Sequence, residues 1–212
     1  MYNNDVAAYR RTAVLFGPPG CGKEKLGNVL VSSGMVHRVI LKTYLLEHSD
    51  VMQSGGLVSD EIVVPIVDGL LSKFRAEKYL VLDGAGRSRG QMQELLRRVV
   101  PIVFIDLPVE ECKRRIKKAD DRGGRCDDAV HIVETRMAKY EEESLPALHF
   151  AMATRSELVH RIDGLKCPLD KAKDMVDRLG WREISFAETE AVPSRREHFQ
   201  SVSRISRQQA VV

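Results

Sequence analysis

No apolar run in this 212-residue chain approaches the roughly 20 residues needed to span a bilayer, so no membrane-spanning helix is expected. Cysteine is scarce and scattered. Cys21, Cys112, Cys126 and Cys167 form no CxxC pair, which argues against a structural zinc site. His37, His48, His131, His149, His160 and His198 show no ligand spacing either, so no protein-held metal is expected. The chain opens with no secretory leader, and the reading that follows is a reducing cytoplasm. Charge of one sign is also missing. With 33 basic and 30 acidic residues the net charge is +3, which offers no clustered basic face for nucleic acid. No internal repeat occurs.

What is present is a globular composition, 43% hydrophobic and 30% charged. That length suits one compact domain with small insertions and a core that needs no disulfide. Short apolar runs at 12–16, 36–41, 79–83, 101–106 and 157–163 read as buried parallel strands. Helical spacing over 24–33, 43–53, 59–77, 88–98, 108–118, 129–153 and 169–179 separates them. The helix over 129–153 carries Pro146, a candidate bend. The polar stretch 119–128 contains Gly123 and Gly124 and reads as a mobile loop. From 185 the periodicity dissolves, so 185–212 is expected to be a flexible tail. Strands alternating with helices imply an α/β fold in three layers, a parallel sheet with helices on both faces. Sites in such sheets lie beyond the carboxyl ends of the strands.

Gly17, Pro18, Pro19, Gly20, Cys21, Gly22 and Lys23 follow the first strand and precede the first helix. They match G-x-x-x-x-G-K, the phosphate-binding loop, in the context that gives that motif its meaning. Glycines let the backbone curl so that successive N–H groups face one anion, and the helix N-terminus adds its positive end. Lys23 supplies a point charge to the terminal phosphates. The bland reading is a Gly/Pro turn before a helix. The hydroxyl expected after the lysine is absent: Glu24 stands there, followed by Lys25. A carboxylate at ~4 Å from a phosphate charge, at an effective dielectric of ~20, costs about 4 kcal/mol before screening.

Further pieces follow in a fixed order. Gly55, Gly56, Leu57, Val58, Ser59 and Asp60 form a Gly-x-Leu-Val-x-Asp segment. Asp83, Gly84, Ala85, Gly86 and Arg87 end the third strand, with Gln91 four residues on. Gly124, Arg125, Cys126, Asp127 and Asp128 fill the polar loop, Arg136 and Tyr140 follow on the long helix, and Ile162, Asp163 and Gly164 precede the last helix. Taken singly each is more often a surface or capping residue; their order and register reverse that judgement. From about residue 12 to 180 the chain resembles adenylate kinase and its short-lid relatives, a P-loop NTPase fold.

The resemblance implies nucleoside-monophosphate kinase activity, most naturally from ATP with magnesium to AMP. It implies a domain over 1–184, with a monophosphate-binding region near 37–78 and a short lid at 119–128. Lys23, Arg87, Arg125 and Arg136 would surround the transferring phosphoryl group. Asp83 would hold the magnesium shell through water. Leu57, Val58, Gly84 and Gln91, with Arg87, Arg125 and Arg136, would line the acceptor side. Residues 17–25 would take ATP, and the lid with Arg122, Asp127 and Asp128 would close over it. The expected partners are small nucleotides, with no nucleic acid and no membrane, and the expected state is a monomer.

Several positions depart from the family pattern. Lys42 replaces a threonine at the acceptor base, and Glu47 replaces the arginine that grips the acceptor phosphate. Arg38 or Lys42 is left to reach that phosphate instead. Ala85 and Gly86 replace a Phe-Pro pair, and Ala119 stands at the first lid arginine. Three readings stand: an active kinase of altered preference or rate, a weakened nucleotide-binding partner or regulator, and a P-loop kinase of another small molecule.

Overall fold

In the computed structural model, residues 11–45, 50, 56–73, 78–120 and 130–186 are described. Five parallel strands form one sheet in the order β2-β3-β1-β4-β5. They are β1 (Thr12–Phe16), β2 (Val36–Ile40), β3 (Tyr79–Asp83), β4 (Ile102–Asp106) and β5 (Val159–Asp163). The connecting helices are α1 (Lys23–Ser32), α2 (Asp60–Lys73), α3 (Arg89–Arg97), α4 (Val109–Asp120), α5 (Val130–Lys139), α6 (Leu145–Thr154) and α7 (Pro168–Leu179).

Alternation along the strands sorts side chains into two cores, one per sheet face. Val14, Phe16, Leu80 and Leu82 pack with Val63 and Val67 of α2, Met92 and Leu95 of α3 and Leu148 of α6. Ala13, Leu15, Val81 and Ile105 pack with Leu26 and Leu30 of α1, Met137 of α5 and Met175 and Val176 of α7. Every residue of β1 and β3 is buried, as sequential apolar runs covered on both faces must be. The three-layer expectation holds.

Local chemistry sets the boundaries. Ser88 caps α3, its hydroxyl accepting from the Gln91 N–H at 3.1 Å. Gly180, at φ 66°, ends α7 in a left-handed turn, with the Trp181 N–H donating to the Val176 carbonyl at 3.0 Å. The chain then does not leave the domain at once. Trp181 stacks on Tyr79 with ring centroids 4.5 Å apart, Ile184 is buried, and Phe186 packs against the same core. Packing on the domain therefore continues two residues into the stretch read as tail; 187–212 lie outside the described residues.

Four other expectations shift. The loop expected from Ala119 starts later, because α4 runs through Asp120; alanine is a strong helix former and no breaker intervenes. The helix expected over 43–53 begins as a 3₁₀ turn, Leu41–Tyr44, where the Thr43 hydroxyl donates to the Ile40 carbonyl at 2.8 Å; most of its remainder lies outside the described residues. The strand expected from Glu157 begins at Val159, after a 3₁₀ turn over Ser156–Leu158. The bend expected at Pro146 is a π-helical turn, Tyr140–Ser144, between α5 and α6. Proline has no N–H to donate, and widening the preceding turn accommodates it.

Candidate active site

The order of the sheet reverses around β1, whose neighbours are β3 and β4. The crevice beyond the carboxyl end of the central strand is where such sheets bind ligands. The phosphate loop leaves β1 there, and Asp83, at the end of β3, is in register with Leu15.

Backbone geometry explains the loop's glycines. Gly20 has φ +82°, and a Cβ there would lie 2.7 Å from the Cys112 carbonyl oxygen. Gly22, at φ 98°, occupies the N-cap of α1 without a side-chain cap, leaving the first N–H groups of α1 for another partner. The Lys23 ammonium lies on the loop itself. It donates to the carbonyls of Gly17 at 2.6 Å and Pro18 at 3.0 Å and to Cys21 Sγ at 3.3 Å. Cys21 is fully buried, so it fills its slot as a small apolar residue. Its neighbour Cys112 is likewise buried, and desolvation pushes that thiol up to about 12, which keeps it protonated and unreactive. Glu24 is half-buried and Lys25 exposed.

Sequence reasoning missed the most consequential contact. Arg38, on β2, forms an ion pair with Asp83 Oδ2, and both side chains are largely buried, at 7% and 11% exposure. The guanidinium also donates to the Glu24 carbonyl at 3.3 Å and to Asn28 Oδ1 at 3.1 Å, while Nε is buried without a hydrogen-bond partner. Room for it comes from Gly27 on α1, where a Cβ would lie 2.4 Å from Arg38 Nε. Arg38 is therefore committed to Asp83 and α1, and it does not stand free to take the acceptor phosphate. The signal was present in the sequence as Gly27 inside an amphipathic helix, a position that costs stability unless something passes close by.

Arg87 is exposed but has protein crowded around its guanidinium. Burial lowers its pKa, Asp83 opposes that, and Arg136 adds to it. Because the side chain still reaches water, and an arginine starts so far above neutrality, it remains a cation. The carboxylate of Asp83 and the cation Arg136 thus each come within electrostatic reach of Arg87. Tyr140 is buried near Cys21 and Cys112, its ring 6.2 Å from that of Phe16, and desolvation raises the pKa of its phenol.

On the other flank, Gln91 is buried and its amide is spent. Its Oε1 accepts from the Arg87 N–H at 3.1 Å and its Nε2 donates to Asp60 Oδ1 at 3.0 Å. Asp60 also accepts from the Ser88 hydroxyl, at 2.5 Å, so α2 and α3 are tied together through one carboxylate. Gly90 permits the approach, since a Cβ there would meet Asp60 Oδ2 at 2.2 Å. Val58 is buried in the core, Leu57 and Gly84 are half-buried, and the last has φ 100°. We expect Gln91→Ala to raise the KM for the monophosphate and leave that for ATP nearly unchanged. It should also lower the melting temperature, since it strands Asp60 and the Arg87 N–H. Equal movement of both KM values in steady-state kinetics would count against the acceptor-side assignment.

Arg122, Arg125, Cys126, Asp127, Asp128 and Glu47 lie outside the described residues. Among the described residues no group of three or more histidine, cysteine or acidic side chains could hold a metal. No helix among them is long and apolar enough to cross a membrane.

No protein-family model matches the chain. Curated relatives do. Adenylate kinase of Tropheryma whipplei (strain Twist) is 31% identical over 189 residues, covering 79% of this chain and 98% of that protein. Adenylate kinase of Stenotrophomonas maltophilia is 32% identical over 170 residues, covering 72% and 90%. That of Thermus thermophilus is 31% identical over 175 residues, covering 74% and 90%. Similarity at this level runs nearly the whole length of these relatives, over a five-stranded parallel sheet with a phosphate loop after its central strand, and on that ground the chain belongs to the adenylate kinase family.

Proposed function

We propose that the protein transfers the γ-phosphoryl group of ATP–magnesium to a nucleoside monophosphate, AMP by preference, giving ADP. The observation that carries this reading is that Arg87 and Arg136 gather with Asp83, whose strand end lies beside the end of β1, from which the loop bearing Lys23 leaves. Phosphoryl transfer asks little covalent chemistry of a protein. It asks for aligned reactants and for cations around charge that spreads over the transferring group.

In this reading the donor phosphates lie on the N–H groups of the loop and of α1. Lys23 leaves some of its loop carbonyls for the terminal phosphates. Arg87 and Arg136, with Arg125 of the lid, surround the transferring group. Magnesium enters as part of the substrate, carried by the phosphates. Asp83 is suited to face its water shell, because only Oδ2 is bonded to Arg38. No protein-held metal is needed, and the scatter of histidines and cysteines supports that. The same reading makes the protein a cytoplasmic monomer acting on free nucleotides; its near-balanced charge and the free thiols of Cys21, Cys112 and Cys167 support it.

The departures Glu24 and Glu47 weaken substrate binding and leave in the sequence the arginines assigned to the reacting group. The test is a transfer panel of ATP–magnesium with AMP, CMP, UMP, GMP and dAMP. Transfer fastest with AMP is expected. Glu47→Arg should mainly tighten AMP, and Glu24→Gly should mainly help ATP–magnesium, with roughly additive effects on the barrier. If neither the wild type nor the double variant forms ADP from any acceptor, the assignment fails.

A further inference from the structure

A buried ammonium is costly unless a carboxylate or several acceptors receive it. Lys171, on the first turn of α7, is only 2% exposed. Among the described residues its ammonium makes no hydrogen bond and meets no carboxylate. The charged and titratable groups that act on it are Arg115 on α4, Lys25 on α1 and the thiols of Cys21 and Cys167. Burial lowers its pKa, and the two cations add to that. Nothing in this set explains why a lysine is kept inside.

Its position does. Lys171 Nζ sits against the phosphate loop, where a Cβ built on Gly22 would meet it at 3.0 Å. Gly22 is the uncapped N-cap of α1, the positive end of that helix. Lys171, with Arg115 and Lys25 within electrostatic reach, thus stands at a helix N-terminus beside the loop that Lys23 ends. In the nucleotide-free protein this arrangement is self-repelling. It becomes favourable when an anion of several charges occupies the spot. Glu24, moreover, stands where the loop motif has a hydroxyl for the ligand, so the first turn of α1 is short of a donor there.

We propose that Lys171 is a second ammonium of the donor site, contacting the phosphate chain of the bound nucleoside triphosphate from α7. The inference rests on the donor assignment of the phosphate loop made above and adds to it a residue from the far end of the chain. α7 is then a part of the binding site as well as a cover for the sheet. The cost of burying a cation with no carboxylate beside it among the described residues is recovered when the nucleotide binds.

Lys171→Met keeps the length of the side chain and removes the charge. The variant is expected to melt higher than wild type without nucleotide, because the repulsion among the cations falls. Its Kd for ATP, by calorimetry without acceptor, is expected to rise about tenfold or more, the loss of one charge-assisted contact. Its Kd for AMP should not move, because AMP occupies the acceptor side. Lys171→Gln serves the same purpose should the methionine variant misfold. An unchanged ATP affinity in a wild type that does bind ATP would overturn the role of Lys171 and leave the donor site standing. Equal weakening of ATP and AMP would make Lys171 a packing residue and overturn it as well. A wild type that binds no ATP would instead bring down the donor assignment, and this inference with it.

Discussion

Lys23→Met should lower turnover by at least about two orders of magnitude, about 3 kcal/mol in the barrier, while the fold survives. The lysine ends a loop whose glycines and helix N-terminus are arranged for an anion, and it is the one loop residue that adds a full positive charge. That charge is worth most when the phosphoryl group is in flight and negative charge spreads over it. The geometry adds a second consequence. All three donors of the ammonium are spent on the loop, on Gly17, Pro18 and Cys21. Each such bond contributes about 0.5–1.5 kcal/mol net, so the methionine variant should also show a small drop in melting temperature. Circular dichroism with a coupled ADP assay separates the two effects. Near-normal turnover in a folded variant would sink the kinase assignment, whatever the melting temperature does.

Arg38→Ala should cost about 3–5 kcal/mol of stability. The substitution strands the Asp83 carboxylate in a largely buried place, and it opens a void over Gly27, which the Arg38 side chain covers. For a domain of this size each kcal/mol corresponds to about 2–4 °C, so a fall of about 10 °C in melting temperature is expected. The companion measurement is a double-mutant cycle with Asp83→Ala. Removing both partners should cost less than removing Arg38 alone, because no unpaired charge is then left inside. A melting temperature within a degree or two of wild type would show that Asp83 is well solvated without Arg38. The pair also changes what Asp83 can do. One of its oxygens is held by a cation from β2, which fixes the carboxylate while reducing the charge it presents to the loop.

Reading the chain alone placed the strands well, because buried parallel strands are short apolar runs with sharp polar ends. β1 and β3 coincide with the runs at 12–16 and 79–83. It did less well where one local preference competes with another. The 3₁₀ turn at Leu41–Tyr44 depends on a threonine hydroxyl bonding back to the chain, and the π turn at Tyr140–Ser144 on a proline downstream of it. Neither leaves a periodic trace. Gln91 was legible as a position, but its engagement was not, since Asp60 reaches it across 31 residues of sequence.

The sequence by itself determined the alternation of strands and helices, the phosphate loop and its place at the end of the first strand, and the family. Those are properties of contiguous segments, carried by apolar spacing and by glycines in a fixed order. Tertiary structure alone decided which charges face one another. Arg38 and Asp83 are 45 residues apart, and Gly22 and Lys171 lie at opposite ends of the domain. Parallel register brings β2 beside β3, and the packing of α1 against α7 brings a distant lysine to the loop. A cation in a sequence reads the same whether it is solvated, paired or waiting for a phosphate. Only its burial and its neighbours separate these states, because the energy of a charge is set by what surrounds it.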